Sequence, residues 1–134
     1  MSRLLVDTSV ISYLLKKHSL APLYWEILKG NLLGISFMTV AELYRWPMER
    51  NWSERRIADL RLHLRGYNVL PYDDAMSWEW AKIKSRRGRP ISDPDAWIAA
   101  TAIRYEVPLV THNPRHFLHV EKLEVITVPG ITPT

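Results

Sequence analysis

The stretch Arg3-Leu4-Leu5-Val6-Asp7-Thr8-Ser9 joins a short, almost wholly apolar run to an acid and two hydroxyl residues. A run this short, without polar alternation, reads as a strand covered on both faces, the habit of a parallel sheet. Four more such runs follow, at Leu33–Phe37, Asn68–Tyr72, Pro108–Thr111 and Leu123–Val128. Between them the apolar spacing is helical, over Ser9–Lys17, Ala21–Lys29, Val40–Arg50, Ser53–Arg65, Asp73–Arg86 and Asp95–Tyr105. Ser53 stands where a helix would be capped, ahead of a stripe of Ile57, Leu60 and Leu64. The fifth helical stretch carries Ala75, Trp78, Ala81 and Lys82, and the sixth Ile98, Ala99 and Ala102. Strands that alternate with helices need right-handed crossovers, which cover both faces of a sheet. The expected architecture is therefore α/β: a three-layer α/β/α domain around a mostly parallel central sheet of four or five strands. Residues 1–134 read as one such domain. Its tail, from about residue 129 with Pro129, Gly130 and Pro133, is expected to be loosely attached.

Bulk properties narrow the function classes. Hydrophobic residues make up 47% of the chain and charged residues 24%, which excludes a disordered chain. There is no cysteine, so disulfides and thiolate zinc sites are excluded. No apolar run reaches the roughly 20 residues of a membrane span, and the first residues lack the apolar core of a signal peptide. The expected location is the cytoplasm. A net charge of +4 suits a polyanionic partner without requiring one. No phosphate loop of the Gly-Lys-Ser/Thr kind occurs, nor a G-x-S-x-G elbow, which argues against nucleotide hydrolysis and serine-hydrolase chemistry.

In an open parallel sheet, ligands bind beyond the carboxyl ends of the strands. Asp7 ends the first strand. Glu42 follows the second, in Thr39-Val40-Ala41-Glu42. Asp95 opens a helix in Asp93-Pro94-Asp95-Ala96, and Asn113 follows the fourth strand in Thr111-His112-Asn113. Each also has a plain structural role open to it. Asp7 can cap the next helix, Thr39 and Glu42 match a capping box, and Ser92 with Asp95 matches a looser one. Asp93 lies off the inward face of its helix and reads as the N-cap. Asp95 shares a face with Ile98, Ala99 and Ala102, so it should point along the core side. Three carboxylates gathered at one rim repel one another unless a cation neutralises them. All-oxygen ligands suit Mg²⁺ or Mn²⁺, which can activate a water and offset charge on a phosphodiester. Thr8, Ser9 and Thr111 offer hydroxyls to support the acids or to contact phosphate.

The motifs Leu4-Leu5-Val6-Asp7-Thr8-Ser9, Thr39-Val40-Ala41-Glu42-Leu43, Gly88 to Ala102 around Asp95, and Leu109 to Phe117 around Asn113 stand in this order. In kind and spacing they resemble the motifs of PIN-domain nucleases, and most of all the VapC toxins of toxin–antitoxin pairs. The likeness runs from Leu4 to about Val128. It implies a PIN-like fold and a metal-dependent endoribonuclease acting on structured RNA such as tRNA or rRNA. It also implies a homodimer and a small antitoxin partner. Asp7, Glu42 and Asp95 fall on the family's metal-binding acids, and Asn113 where many members carry Asp or Asn. The family often has a further acid near His116. A histidine in that place implies a weaker second metal, or one metal only.

Arg86, Arg87 and Arg89 precede the Asp95 motif and are expected to contact phosphate. The segment Tyr44–Trp52 is aromatic and expected to break at Pro47. Core packing and a groove for a partner peptide compete for it, and the resemblance favours the groove. His112, His116 and His119 straddle Pro114 and should not share a face. The alternative to catalysis is a non-catalytic RNA- or protein-binding module on the same fold. A phosphatase-type hydrolase with Asp7 as nucleophile would want a second Asp at position 9, where Ser9 stands.

Overall fold

In the computed structural model, which describes residues 1–130, the order is β1 (Arg3–Val6), α1 (Thr8–Lys16), α2 (Ala21–Leu28), β2 (Leu32–Ser36), α3 (Phe37–Arg50) and α4 (Glu54–Leu64). There follow β3 (Asn68–Leu70), α5 (Asp74–Lys84), α6 (Asp93–Tyr105), β4 (Leu109–Val110), a 3-10 turn (Pro114–Phe117) and β5 (Val125–Ile126). All four strand pairings are parallel, in the order β3-β2-β1-β4-β5. The expected three-layer α/β/α fold is the one observed. Alternate residues of each strand go to opposite sides. Leu4, Val6, Ile35 and Val110 pack against α1 to α4, while Leu5, Leu109 and Val125 pack against α5, α6 and the 3-10 turn. Both faces are thus apolar, which is why the strands read as unbroken runs. Gly34 in β2 lets the neighbouring strand close in, since a Cβ there would stand 3.2 Å from Leu70 Cγ.

Several expectations are corrected. Helix α3 begins at Phe37, not Val40, because Ser36 Oγ accepts the Met38 N–H and starts the turn. Thr39 therefore lies inside the helix, and the Thr39–Glu42 capping box does not form. Helix α6 is capped by Ser92, whose Oγ accepts the Asp95 N–H. Asp93 is its first residue rather than its cap. Pro47 does not break α3. Its ring is buried, and the helix continues past the bond the ring cannot donate, ending where Asn51 turns left-handed at φ 49°. Helix α5 buries Met76 and half-buries Trp80 and Ile83, so the face of Ala75, Trp78 and Ala81 is the solvent face. Trp80 stacks on Trp97 at 5.0 Å, which explains the choice of face. The last strand is only Val125–Ile126. Val128 still reaches the core, while Pro129 and Gly130 are exposed; the tail beyond them lies outside the described residues. Among the described residues, no helix is long and apolar enough to cross a membrane.

Candidate active site

The strand order reverses direction at β1. The chain moves from β1 through β2 to β3 on one side, then returns to place β4 and β5 on the other. Diverging crossovers leave a crevice beyond the carboxyl ends of β1 and β4. Asp7 and Thr111 are the residues that leave those two ends. Thr111 donates to Asp7 Oδ2 at 2.6 Å and Ser9 donates to the same oxygen at 2.8 Å. Asp7 occupies the N-cap position of α1, yet its side chain makes no capping bond. The capping role is thereby removed, and the carboxylate is turned into the crevice.

Glu42 arrives from α3. Thr8 donates to its Oε1 at 2.8 Å, and the Thr8 oxygen lies 3.0 Å from Thr39 Oγ1. Asp95 arrives from the first turn of α6, and its Oδ2 lies 3.2 Å from His116 Nδ1. The three acids line one pocket of about 430 Å³, together with Ser12, Trp46, Asn113 and His116; among the described residues no Lys or Arg lines it. Asn113 is held there by its backbone N–H, which donates to Thr111 Oγ1 at 3.0 Å. Among the described residues, no three His, Asp or Glu side chains stand close enough to grip one ion directly.

The electrostatics follow from burial. Asp7 is 4% exposed, and burial pushes its carboxyl above the usual carboxylate value. The bonds from Thr111 and Ser9 pull it back, and the charge of Asp95 adds to the rise. Glu42 is raised by partial burial first, then held down by Thr8, with Asp7 and Asp95 pushing it up. The acids therefore sense one another across the pocket, with only the charge of Arg45 pulling Glu42 back.

Other expected site residues lie elsewhere. Arg86 donates to the His119 carbonyl and pairs with Glu121 at 3.1 Å, and with Arg89 it lines a neighbouring cavity; Arg87 is exposed and lines neither pocket. Asp93 turns away to pair with Lys84 at 2.8 Å. His112 lies with its ring 2.5 Å from the Tyr24 hydroxyl and lines neither pocket, although its backbone N–H donates to Ser9 Oγ at 3.1 Å. Trp46 and Trp52 pack against the core, with Arg56 over Trp52 at 4.0 Å, while Met48 stays exposed. Ser12 joins the pocket without belonging to any of the four motifs. Its signal in the sequence is its place one helical turn after Thr8.

A family model described as the PIN domain matches residues 4–123. The chain is 30% identical over 125 residues to the Ribonuclease VapC1 of Haemophilus influenzae, covering 90% of this chain and 93% of that protein. It is 27% identical over 123 residues to the tRNA(fMet)-specific endonuclease VapC of Shigella flexneri, with the same coverage of 90% and 93%. A solved structure of VapBC-1 from nontypeable Haemophilus influenzae superposes with a TM-score of 0.78 at 29% identity, covering 95% of this chain and 98% of that one. With the crevice built as described and the likeness running through all four of its motifs, the chain belongs to the PIN-domain family, in its VapC-like branch.

Proposed function

We propose that this chain is a divalent-metal-dependent endoribonuclease, the toxin of a toxin–antitoxin pair. It would act as a homodimer on structured RNA of the tRNA or rRNA kind, held in check by a small antitoxin protein. The observation that carries the reading is the pocket where Asp7, just past β1, meets Glu42 of α3 and Asp95 of α6, with no Lys or Arg among the described residues lining it. The ribonuclease names of the curated relatives support it.

The donor set fits a hard cation. It is anionic, made of oxygens and open enough to admit water. Mg²⁺ and Mn²⁺ are the matching ions, and because Mg²⁺ keeps several waters and binds through one or two carboxylates, the acids lining the pocket need not all touch it. Asp7, Glu42 and Asp95 would hold the ion between them, in part through its waters, with Asn113 in support, and it would supply an acidified water and offset charge on the phosphoryl group. The chain's own hydroxyls fix the acids beforehand. Ser9 and Thr111 lock one Asp7 oxygen, Thr8 orients Glu42, and the Ser92 cap sets the first turn that carries Asp95.

Incubation of a tRNA with the protein and Mg²⁺, read on a denaturing gel, tests the reading. Discrete fragments are expected. EDTA should stop cleavage, and Asp95→Asn should lower it more than about 100-fold while circular dichroism reports an intact fold. Equal cleavage by wild type and variant would reject the assignment and point to a contaminating nuclease. RNA binding indifferent to EDTA, with no cleavage at any metal concentration, would favour the non-catalytic binding module instead.

A further inference from the structure

The acidic pocket poses a problem for its own substrate. RNA is a polyanion, and among the described residues no Lys or Arg lines the pocket to draw it in. Next to it, on the α5–α6 side of the sheet, lies a second cavity of about 490 Å³, and His116 lines both. Five Lys or Arg residues and two Glu line this second cavity, so its charge is the reverse of its neighbour's. Lys82 and Arg86 are tied to Glu79 and Glu121. Arg89, Arg115 and Lys122 are exposed and make no ion pair among the described residues. The cavity floor is apolar, with half-buried Ile83, Ile103 and Val120 around buried Phe117.

We propose that this cavity seats the nucleotide adjoining the scissile phosphate, its phosphates on Arg89, Arg115 and Lys122 and its base on the apolar floor; this rests on the ribonuclease reading. Volume and chemistry agree with such a guest. Binding pockets for small molecules run from about 300 to 1,000 Å³, and unpaired bases bind by stacking on apolar or aromatic surface. A cationic rim also provides what the acidic pocket lacks, a local field that holds the strand while one phosphate is brought against the carboxylates. The shared His116 sets the two cavities side by side, a short step along the strand from one phosphate to the next.

The test uses the full chain. Binding of a labelled single-stranded RNA is measured by fluorescence anisotropy across a KCl series, in EDTA so that no cleavage intrudes. The triple variant Arg89→Ala, Arg115→Ala, Lys122→Ala should bind at least about 10-fold more weakly at low salt. Its slope of log affinity against log salt should fall by about 0.7 for each phosphate no longer neutralised. With Mg²⁺ restored, its KM for RNA should rise while kcat holds. Arg55→Ala, on α4 across the sheet, should leave the slope unchanged. A triple variant that binds and cleaves like wild type at every salt overturns the groove and leaves the nuclease standing. An equally weakened Arg55→Ala also overturns it, because the effect is then net charge alone. Wild-type protein that neither binds nor cleaves RNA overturns both readings.

Discussion

Replacing Asp7 by Asn should make the protein more stable and less active at once. Asp7 Oδ2 accepts from Thr111 at 2.6 Å and from Ser9 at 2.8 Å, and an Asn carbonyl oxygen can accept both. What changes is the charge. Burying an ionised carboxylate costs several kcal/mol even after relaxation. Making two charge-assisted bonds neutral gives back about 1 kcal/mol each. The balance favours Asn by about 1–3 kcal/mol at neutral pH, or roughly 3–15 °C in Tm for a domain of this size. The sign with pH follows from the raised carboxyl. The folded state holds its proton more tightly than the unfolded one, so wild type loses stability as pH rises above the ordinary value of 3.8, and Asn does not. The advantage of the variant should vanish at lower pH. Thermal unfolding in EDTA and in Mg²⁺ separates the causes. Wild type should gain about 2.7 kcal/mol at a Mg²⁺ concentration 100 times its Kd, and Asp7→Asn should gain almost none. A variant less stable than wild type in EDTA, or one stabilised equally by Mg²⁺, would refute the view that Asp7 is a strained charge waiting for a cation.

Thr8→Val keeps the shape but removes the donor to Glu42, and Mg²⁺ titration of the cleavage rate should show a 10- to 100-fold weaker metal response. Ser92→Ala removes the acceptor for the Asp95 N–H and should cost about 1 kcal/mol, seen as a lower urea midpoint at unchanged slope. His63 is half-buried beside the Tyr67 hydroxyl, and burial holds its ring below the usual 6.5. Its folded form resists protonation, so stability should fall as pH drops below 6.5, and chemical denaturation of His63→Gln should show a flatter profile there.

The first strand is legible to the residue because Arg3–Val6 ends at an acid that cannot continue a two-sided apolar strand. Asp7, Glu42 and Asp95 are legible as a group because each follows a strand or opens a helix at the same rim. The start of α3 is not. Phe37 and Met38 look like more strand, and only the Ser36 hydroxyl, satisfying a backbone N–H, turns the chain earlier. The buried face of α5 is hidden for a related reason. Three of its residues could form a stripe on either side, and the Trp80–Trp97 stack, with partners in different helices, decides between them. The pairing of His116 with Asp95 joins residues on separate elements, and no local pattern announces it.

The strand made before the other four, β1, sits at the middle of the sheet. Strand β1 pairs with β2 on one flank and with β4 on the other, and the bond from Thr111 to Asp7 spans 104 positions. Loop closure over such a distance comes late, and parallel pairing of this kind is slow. A growing chain therefore carries its first acid for most of its translation with one flank open. A product cut short before Thr111 lacks the β4 wall of the crevice and the hydroxyl that fixes Asp7, although all three acids are already present.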